Sequence, residues 1–273
     1  MKHPMMKHTI LILAAIVVTG WFSPGEARGI DYRLEVGLPT YQWKEHFSGE
    51  TPRESGPLLT LGGYVSGFPW ESTPRVTLRG DVEMFLTRVP FSTFAQSLSG
   101  PGTVTPLDTH SDYLGFRYEG SLGRRFGSEA AGLEPFLGLG ARWWLRYIET
   151  KDAVTGYSEL YHTLYGRVGV RARRPFGARF LLHGAVSIDP LLWAQERIDW
   201  TDISGERLTV RNGKRPGWTI ELGVGDGSLD GTVFWRATRF GESDHVSCLG
   251  GTSRCFQPES DQDIIGMKLG LAF

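Results

Sequence analysis

Cysteine is nearly absent from this chain: Cys248 and Cys255 are the only two in 273 residues. With no CxxC pair and no neighbouring pair of histidines, a metal centre has no ligand set. Long hydrophobic runs are also missing beyond the first 20 residues, and the mean hydropathy of -0.20 excludes a bundle of membrane helices. It does not exclude a barrel, whose strands are apolar on one face only. Neither sign of charge dominates: 29 Lys and Arg face 30 Asp and Glu, a net charge of -1. A nucleic-acid partner, which needs a basic surface, is therefore not expected. No strand–turn–helix context surrounds a glycine-rich loop, so no phosphate or dinucleotide cofactor is implied.

What the chain has instead is 36 glycines, nine tryptophans and many short alternating runs. The N-terminus reads as a secretory signal. Lys2 and Lys7 precede the apolar stretch Thr9 to Val18, and Gly25-Glu26-Ala27 supplies a small-x-small cleavage site. The stretch is too short to span about 30 Å of hydrocarbon. Residues 1–27 are thus expected to be a signal peptide, and 28–273 a single domain. Export exposes the two cysteines to oxidising conditions, and the flexible spacer between them lets Cys248 and Cys255 join as a disulfide.

From Ile30 onward, ten segments alternate apolar and polar residues: 30–43, 58–68, 75–87, 112–125, 134–149, 159–174, 179–193, 217–225, 231–240 and 263–273. In Val76-Thr77-Leu78-Arg79-Gly80-Asp81-Val82-Glu83-Met84, every second residue is polar. Leu137, Leu139, Ala141, Trp143, Leu145 and Tyr147 oppose Gly138, Gly140, Arg142, Trp144 and Arg146. Successive side chains of a strand point to opposite faces, so each segment has one greasy and one charged face. A soluble sandwich also alternates, but its solvent face is seldom so rich in Arg, Glu and Gly together. Connections alternate strictly between short ones, such as 175–178, and long ones, such as 88–111 and 194–216. The fold expected is all-β: an antiparallel transmembrane β-barrel of about ten strands, eight or twelve being the alternatives, with short periplasmic turns and long external loops.

The last segment places Ile265, Met267, Leu269, Leu271 and Phe273 on one face. A final strand closing on a terminal Phe resembles the signal read by the barrel-assembly machinery of Gram-negative bacteria. The resemblance implies an outer-membrane location, with outer-membrane lipid and that machinery as partners. Trp143, Tyr147, Trp193, Trp218 and Trp235 fall near strand ends on the apolar face, as an interfacial aromatic girdle would.

The opposite faces assign a charged network to the lumen: Arg79, Asp81, Glu83, Arg117, Glu119, Arg142, Arg146, Arg167, Arg171, Glu221 and Arg236, joined by Arg33, Glu35, Arg173, Asp189 and Lys268. Ten strands enclose a narrow interior that bulky side chains can fill, and Arg–carboxylate pairs would then tie strands together. The basic excess leaves a narrow anion-preferring channel as an alternative.

Ten strands with external loops of this size resemble the omptin family of outer-membrane proteases in architecture and length. That resemblance implies an aspartate pair in the second external loop and an Asp-x-His in the fourth, activating water between them. Here the second loop ends in Leu107-Asp108-Thr109-His110-Ser111-Asp112, making Asp108, His110 and Asp112 the candidate catalytic residues. The fourth loop carries Glu196, Asp199, Asp202 and Glu206 but no histidine, so the family's general base is missing. His162 beside Thr163, and His183 with Ser187, are the nearest approach to the His–Ser pair of a lipid-modifying barrel. The expected function is a non-enzymatic outer-membrane barrel of structural or surface-binding type, meeting an extracellular ligand through its loops.

Overall fold

The computed structural model describes residues 30–46, 52–68, 75–96, 104–128, 131–151 and 155–273. Residues 1–27, expected to be a signal peptide, and Pro101-Gly102, at the tip of the expected 88–111 loop, lie outside the described residues.

Ten antiparallel strands follow one another up and down. Strand β1 comprises Asp31–Gly37 and Thr40–Glu45, and β2 comprises Arg53–Pro57 and Leu59–Gly67. They are followed by β3 (Val76–Gln96), β4 (Val104–Arg124), β5 (Gly132–Ile148), β6 (Ser158–Phe176) and β7 (Phe180–Trp200). A four-residue helix, α1 (Thr201–Ser204), leads into β8, built of Glu206–Arg211, Gly213–Lys214 and Pro216–Gly225. Strands β9 (Leu229–Gly241) and β10 (Ser260–Ala272) complete the set. Strand β10 pairs with β9 from Leu229↔Leu271 to Phe240↔Ser260, and on its other side with β1 from Arg33↔Ala272 to Gly37↔Lys268. The sheet therefore closes on itself, which removes the unpaired edges an open sheet would present.

Outward positions define a band. Leu34, Val36, Leu61, Leu78, Leu122, Leu137, Leu139, Val168, Ile188, Leu222, Met267 and Leu269 are all exposed. A soluble protein would bury such a continuous apolar belt; hydrocarbon accommodates it. On β5 the outward run from Leu133 to Leu145 rises about 30 Å at about 3.3 Å per residue and a tilt of about 40°. At the loop end the outward residues turn polar, as with Gln42, Arg88, Asp112, Arg197 and Arg211. Trp193, Trp235 and Tyr147 lie near this boundary, and Trp218 packs edge-on to Trp235 at 5.5 Å.

The strands are longer than the alternation suggested. Residues 88–111 were expected to form a loop, yet β3 and β4 pair continuously from Arg88↔Asp112 to Gln96↔Val104. Likewise 194–216 is mostly strand: Gln195 to Trp200 pair with Glu206 to Arg211. Beyond the membrane an outward position has no reason to be apolar, so the greasy half of the signal stops while the strand goes on. From Arg88 to Gln96, β3 rises about 20 Å past the apolar band by the same geometry. The barrel is a membrane segment carrying a tall collar.

Candidate functional site

The lumen is organised in levels. At the turn end, Asp230 takes Arg33 at 2.9 Å and His183 Nε2 at 2.6 Å. Above it, Arg79 donates to Asp81, Arg171 bonds Glu134 at 2.8 Å, and Lys268 lies 2.9 Å from Glu35 and 3.6 Å from Glu221. At mid-height Glu83 bridges Arg117 and Arg236, the latter at 2.8 Å; Glu119 pairs with Arg117 and Arg167, and Asp189 lies 3.4 Å from Arg167. All eleven residues assigned to the network sit on inward-facing positions of their strands. Such charge-assisted pairs satisfy groups that would otherwise be buried alone at high cost.

Near the loop end the lumen changes character. Trp144 stacks on Tyr161 with centroids 4.6 Å apart and planes 1° apart. Trp43 meets Tyr161 at 5.6 Å and Phe240 at 5.7 Å, while Tyr41 meets Tyr113 at 4.8 Å. Gly115 makes room here: a Cβ on it would collide with the Phe85 ring. Trp43 lies on β1 and Tyr161 on β6, half-way round a ten-strand ring. A ring contact between them spans the full diameter.

Seated against these rings is Arg146, fully buried, with carboxylates of three strands around it. It bonds Glu54 of β2, Glu159 of β6 at 2.7 Å, and lies 3.6 Å from Glu45 of β1. Ser111 donates to Glu54 at 2.8 Å, the Tyr113 hydroxyl donates to Glu54 as well, and Tyr161 donates to Glu159 at 3.0 Å. Trp43 Nε1 and Gln257 donate to Glu45 at 3.1 and 3.3 Å. Glu196, on β7 above the band, is 0% exposed. Burial, together with the nearby charges of Glu159 and Glu45, holds its carboxyl well above the usual carboxylate range. Burial likewise raises Glu45, with Arg146 acting against it.

Glu45, Glu54 and Glu159 were not singled out from the sequence, and Glu196 was read as a loop residue. The signal was available in the phase of alternation. Tyr41, Trp43 and Glu45 continue the inward parity of β1 past Pro39, and Glu54 shares its parity with Leu58 and Thr60.

The candidate catalytic residues lie elsewhere. Asp108, His110 and Asp112 all occupy outward positions of β4 above the band. Ser92 donates to Asp108 at 2.8 Å, His110 Nδ1 is 3.7 Å from Glu149, and Asp112 is 3.5 Å from Arg88. They face away from the barrel axis, whereas Ser111 and Tyr113 of the same strand point inward to the buried Glu54. Residues Glu196, Asp199 and Glu206 belong to strands: Asp199 takes Arg207 at 3.1 Å, and Glu206 accepts from the Leu249 and Gly250 amides at 2.7 and 2.6 Å. Neither histidine suggested for lipid modification sits with a hydroxyl partner there. His162 points outward in the band, and Ser187 donates to Asp189 rather than meeting His183. No cluster of three or more metal-ligating side chains forms among the described residues.

Over the mouth, the β9–β10 connection folds back as a hairpin, Val246–Cys248 with Ser253–Cys255, closed by the Cys248–Cys255 disulfide at a Cα separation of 6.0 Å. Cys248 packs with Ile198 and Leu208, and Trp200, Tyr157 and Leu249 border that small core.

No protein-family model matches the sequence, and no curated protein matches it either. Solved structures do match in shape. The outer-membrane protease OmpT of Escherichia coli superposes with a TM-score of 0.58 at 11% identity, covering 93% of this chain and 99% of that one. A major outer-membrane protein of Thermus thermophilus reaches 0.39 at 12% identity, covering 90% and 100%. Ail, the attachment invasion locus protein of Yersinia pestis, reaches 0.36 at 8% identity, covering 90% and 99%. With its closed sheet, apolar belt and charged lumen, the chain has the fold of a small, ten-stranded outer-membrane β-barrel.

Proposed function

We propose that the protein is a non-enzymatic, closed barrel of the surface-binding type, resident in the outer membrane of a Gram-negative bacterium. After export, the machinery that reads Phe273 would insert it. Its collar and disulfide-tied hairpin would be held above the membrane for an extracellular partner. The observation that carries this reading is the set of contacts crossing the lumen. Arg236 on β9 reaches Glu83 on β3, Arg146 on β5 reaches Glu54 on β2, and Trp43 on β1 touches Tyr161 on β6. Side chains that meet from near-opposite walls at several heights interrupt a continuous water path, which argues against conduction. Glu54 and Glu196 are at most 1% exposed, so a polypeptide cannot reach the buried carboxylate cluster. The stiffened hairpin lowers the entropy lost on binding.

The experiment is paired. Purified protein in a planar bilayer is expected to give no discrete conductance, while cells expressing it are expected to lose binding when residues 247–254 are replaced by a short glycine-serine turn. Anion-favouring conductance that falls on replacing Arg142 or Arg171 would establish the channel instead. Unchanged attachment by the hairpin variant would overturn the surface-binding role. Peptide cleavage abolished by Asp108→Ala or His110→Ala would restore the protease reading.

A further inference from the structure

Among the described residues, Arg142 is a buried lumen cation without an ion-pair partner. It lies on β5 at mid-height, is 5% exposed, and takes part in none of the ion pairs that occupy its neighbours. Its guanidinium donates only a long bond, 3.3 Å, to the Thr238 hydroxyl and lies 4.4 Å above the Trp144 ring. Of the nearby carboxylates, Glu83 is shared by Arg117 and Arg236, and Glu119 by Arg117 and Arg167. A buried guanidinium left without an ion-pair partner is costly, and a dry lumen would ordinarily place a carboxylate or an apolar residue there.

Arg142 instead borders a small lumen cavity, whose wall also carries Arg117 and the carboxylates of Glu119 and Asp189. Arg236 lines the same cavity, and its buried Nε has no hydrogen-bond partner. Tyr165, Thr163 and Thr238 add hydroxyls to the wall, and the half-exposed Arg215 stands at its edge. Gly140 keeps the wall open, because a Cβ there would collide with the Tyr165 ring. Four guanidinium groups, of Arg117, Arg142, Arg215 and Arg236, line the cavity against two carboxylates, Glu119 and Asp189, both already held by Arg167. The excess of positive charge and the spare donors of Arg142 and Arg236 suit a small tetrahedral oxyanion.

We propose that this cavity is a binding site for one inorganic oxyanion of the phosphate or sulfate class, with Arg142 as its principal ligand and Arg236 Nε as a second donor. The bound anion balances the excess of guanidinium groups over carboxylates in the cavity wall. The site goes beyond the surface-binding reading and stands whether or not that reading holds, because it concerns occupancy of a lumen cavity rather than transport or attachment.

The test uses the full mature chain in detergent, with inorganic phosphate and sulfate as probes at constant ionic strength. Equilibrium dialysis with labelled phosphate is expected to show one saturable site per barrel, and both oxyanions to raise the melting temperature over chloride. Arg142→Gln is expected to weaken binding at least tenfold and to abolish the oxyanion-dependent rise. In chloride alone it should melt no lower than the parent, since it removes an unpaired charge. If Arg142→Gln does not fold, Arg142→Lys, which keeps the charge but loses the fork, should fold and bind several-fold more weakly. Absence of saturable binding, or equal binding by parent and both variants, would overturn the assignment. So would chloride that protects as well as phosphate, because the fork would then confer no oxyanion preference.

Discussion

Replacing Arg146 by Met should destabilise the barrel more than any single carboxylate substitution around it. The side chain is fully buried and faces Glu54, Glu159 and Glu45, which lie on three other strands. Methionine fills much of the arginine stem's volume, so the loss isolates charge rather than packing. Breaking one buried pair typically costs about 3–5 kcal/mol, because the remaining partner is left charged and dry. Three carboxylates share the loss here, yet they can relax by taking up protons, so about 4 kcal/mol is expected at pH 7. That corresponds to about a thousandfold shift in the unfolding equilibrium. Glu54→Gln should behave differently. It removes one negative charge from a group of four glutamates around one arginine, and the amide oxygen can still accept from Ser111 and Tyr113; its cost should be about 1 kcal/mol. Urea unfolding from lipid vesicles, followed by tryptophan fluorescence, gives both midpoints. Trp144 and Trp43 sit in the same cluster and report its opening. If Arg146→Met lost less than about 1 kcal/mol, or no more than Glu54→Gln, the plug would not be held by this cation.

Four other outcomes are expected. A carboxyl with a folded pKa above its unfolded value makes the native state bind more protons, so stability falls as pH rises. Between the ordinary Glu value of about 4.3 and the raised value of Glu196, the barrel should therefore weaken with increasing pH, and Glu196→Gln should flatten that slope in urea titrations. Leu139→Arg, at mid-band on the outer face, should cost about 2–4 kcal/mol in vesicle refolding, whereas Gln42→Arg, above the band, should cost almost nothing. Cys248→Ser with Cys255→Ser should release about 2 kcal/mol of loop constraint. The effect should appear as faster amide exchange across residues 243–256, with the barrel's urea midpoint unmoved. Asp226, in the β8–β9 turn, accepts from the Leu229 and Ser228 amides, which hold its carboxyl below the usual range. Asp226→Ala should lower the urea midpoint at pH 7. The difference from the parent should vanish as pH falls through the depressed value, since the favourable ionised form is then lost in both states.

Much of the membrane segment was legible in the chain itself. Alternation such as Leu137 to Tyr147 assigned both faces of β5, because a half-lipid, half-lumen environment writes a period of two directly into residue type. The terminal run Ile265 to Phe273 and the turns around Gly177 and Gly227 had equally local causes. The collar was less legible. Once Arg88, Ser92 and Asp108 no longer face lipid, the strand is held by pairing with its neighbours, and pairing leaves little trace in composition.

The candidate site was the least legible part. Sequence parity could place Arg146 inside, yet not show that it meets Glu54, 92 residues earlier, or that Glu159 joins them. The same limit hid that Arg142 makes no ion pair among the described residues, since pairing is a property of facing walls. The amino-acid sequence by itself determined a closed, lipid-facing barrel, because that follows from which residues tolerate hydrocarbon every second position. Only the tertiary structure decided that the lumen is spanned, and that Arg142 has no ion-pair partner there among the described residues. Those facts depend on shear and register, which bring distant strands face to face at one height.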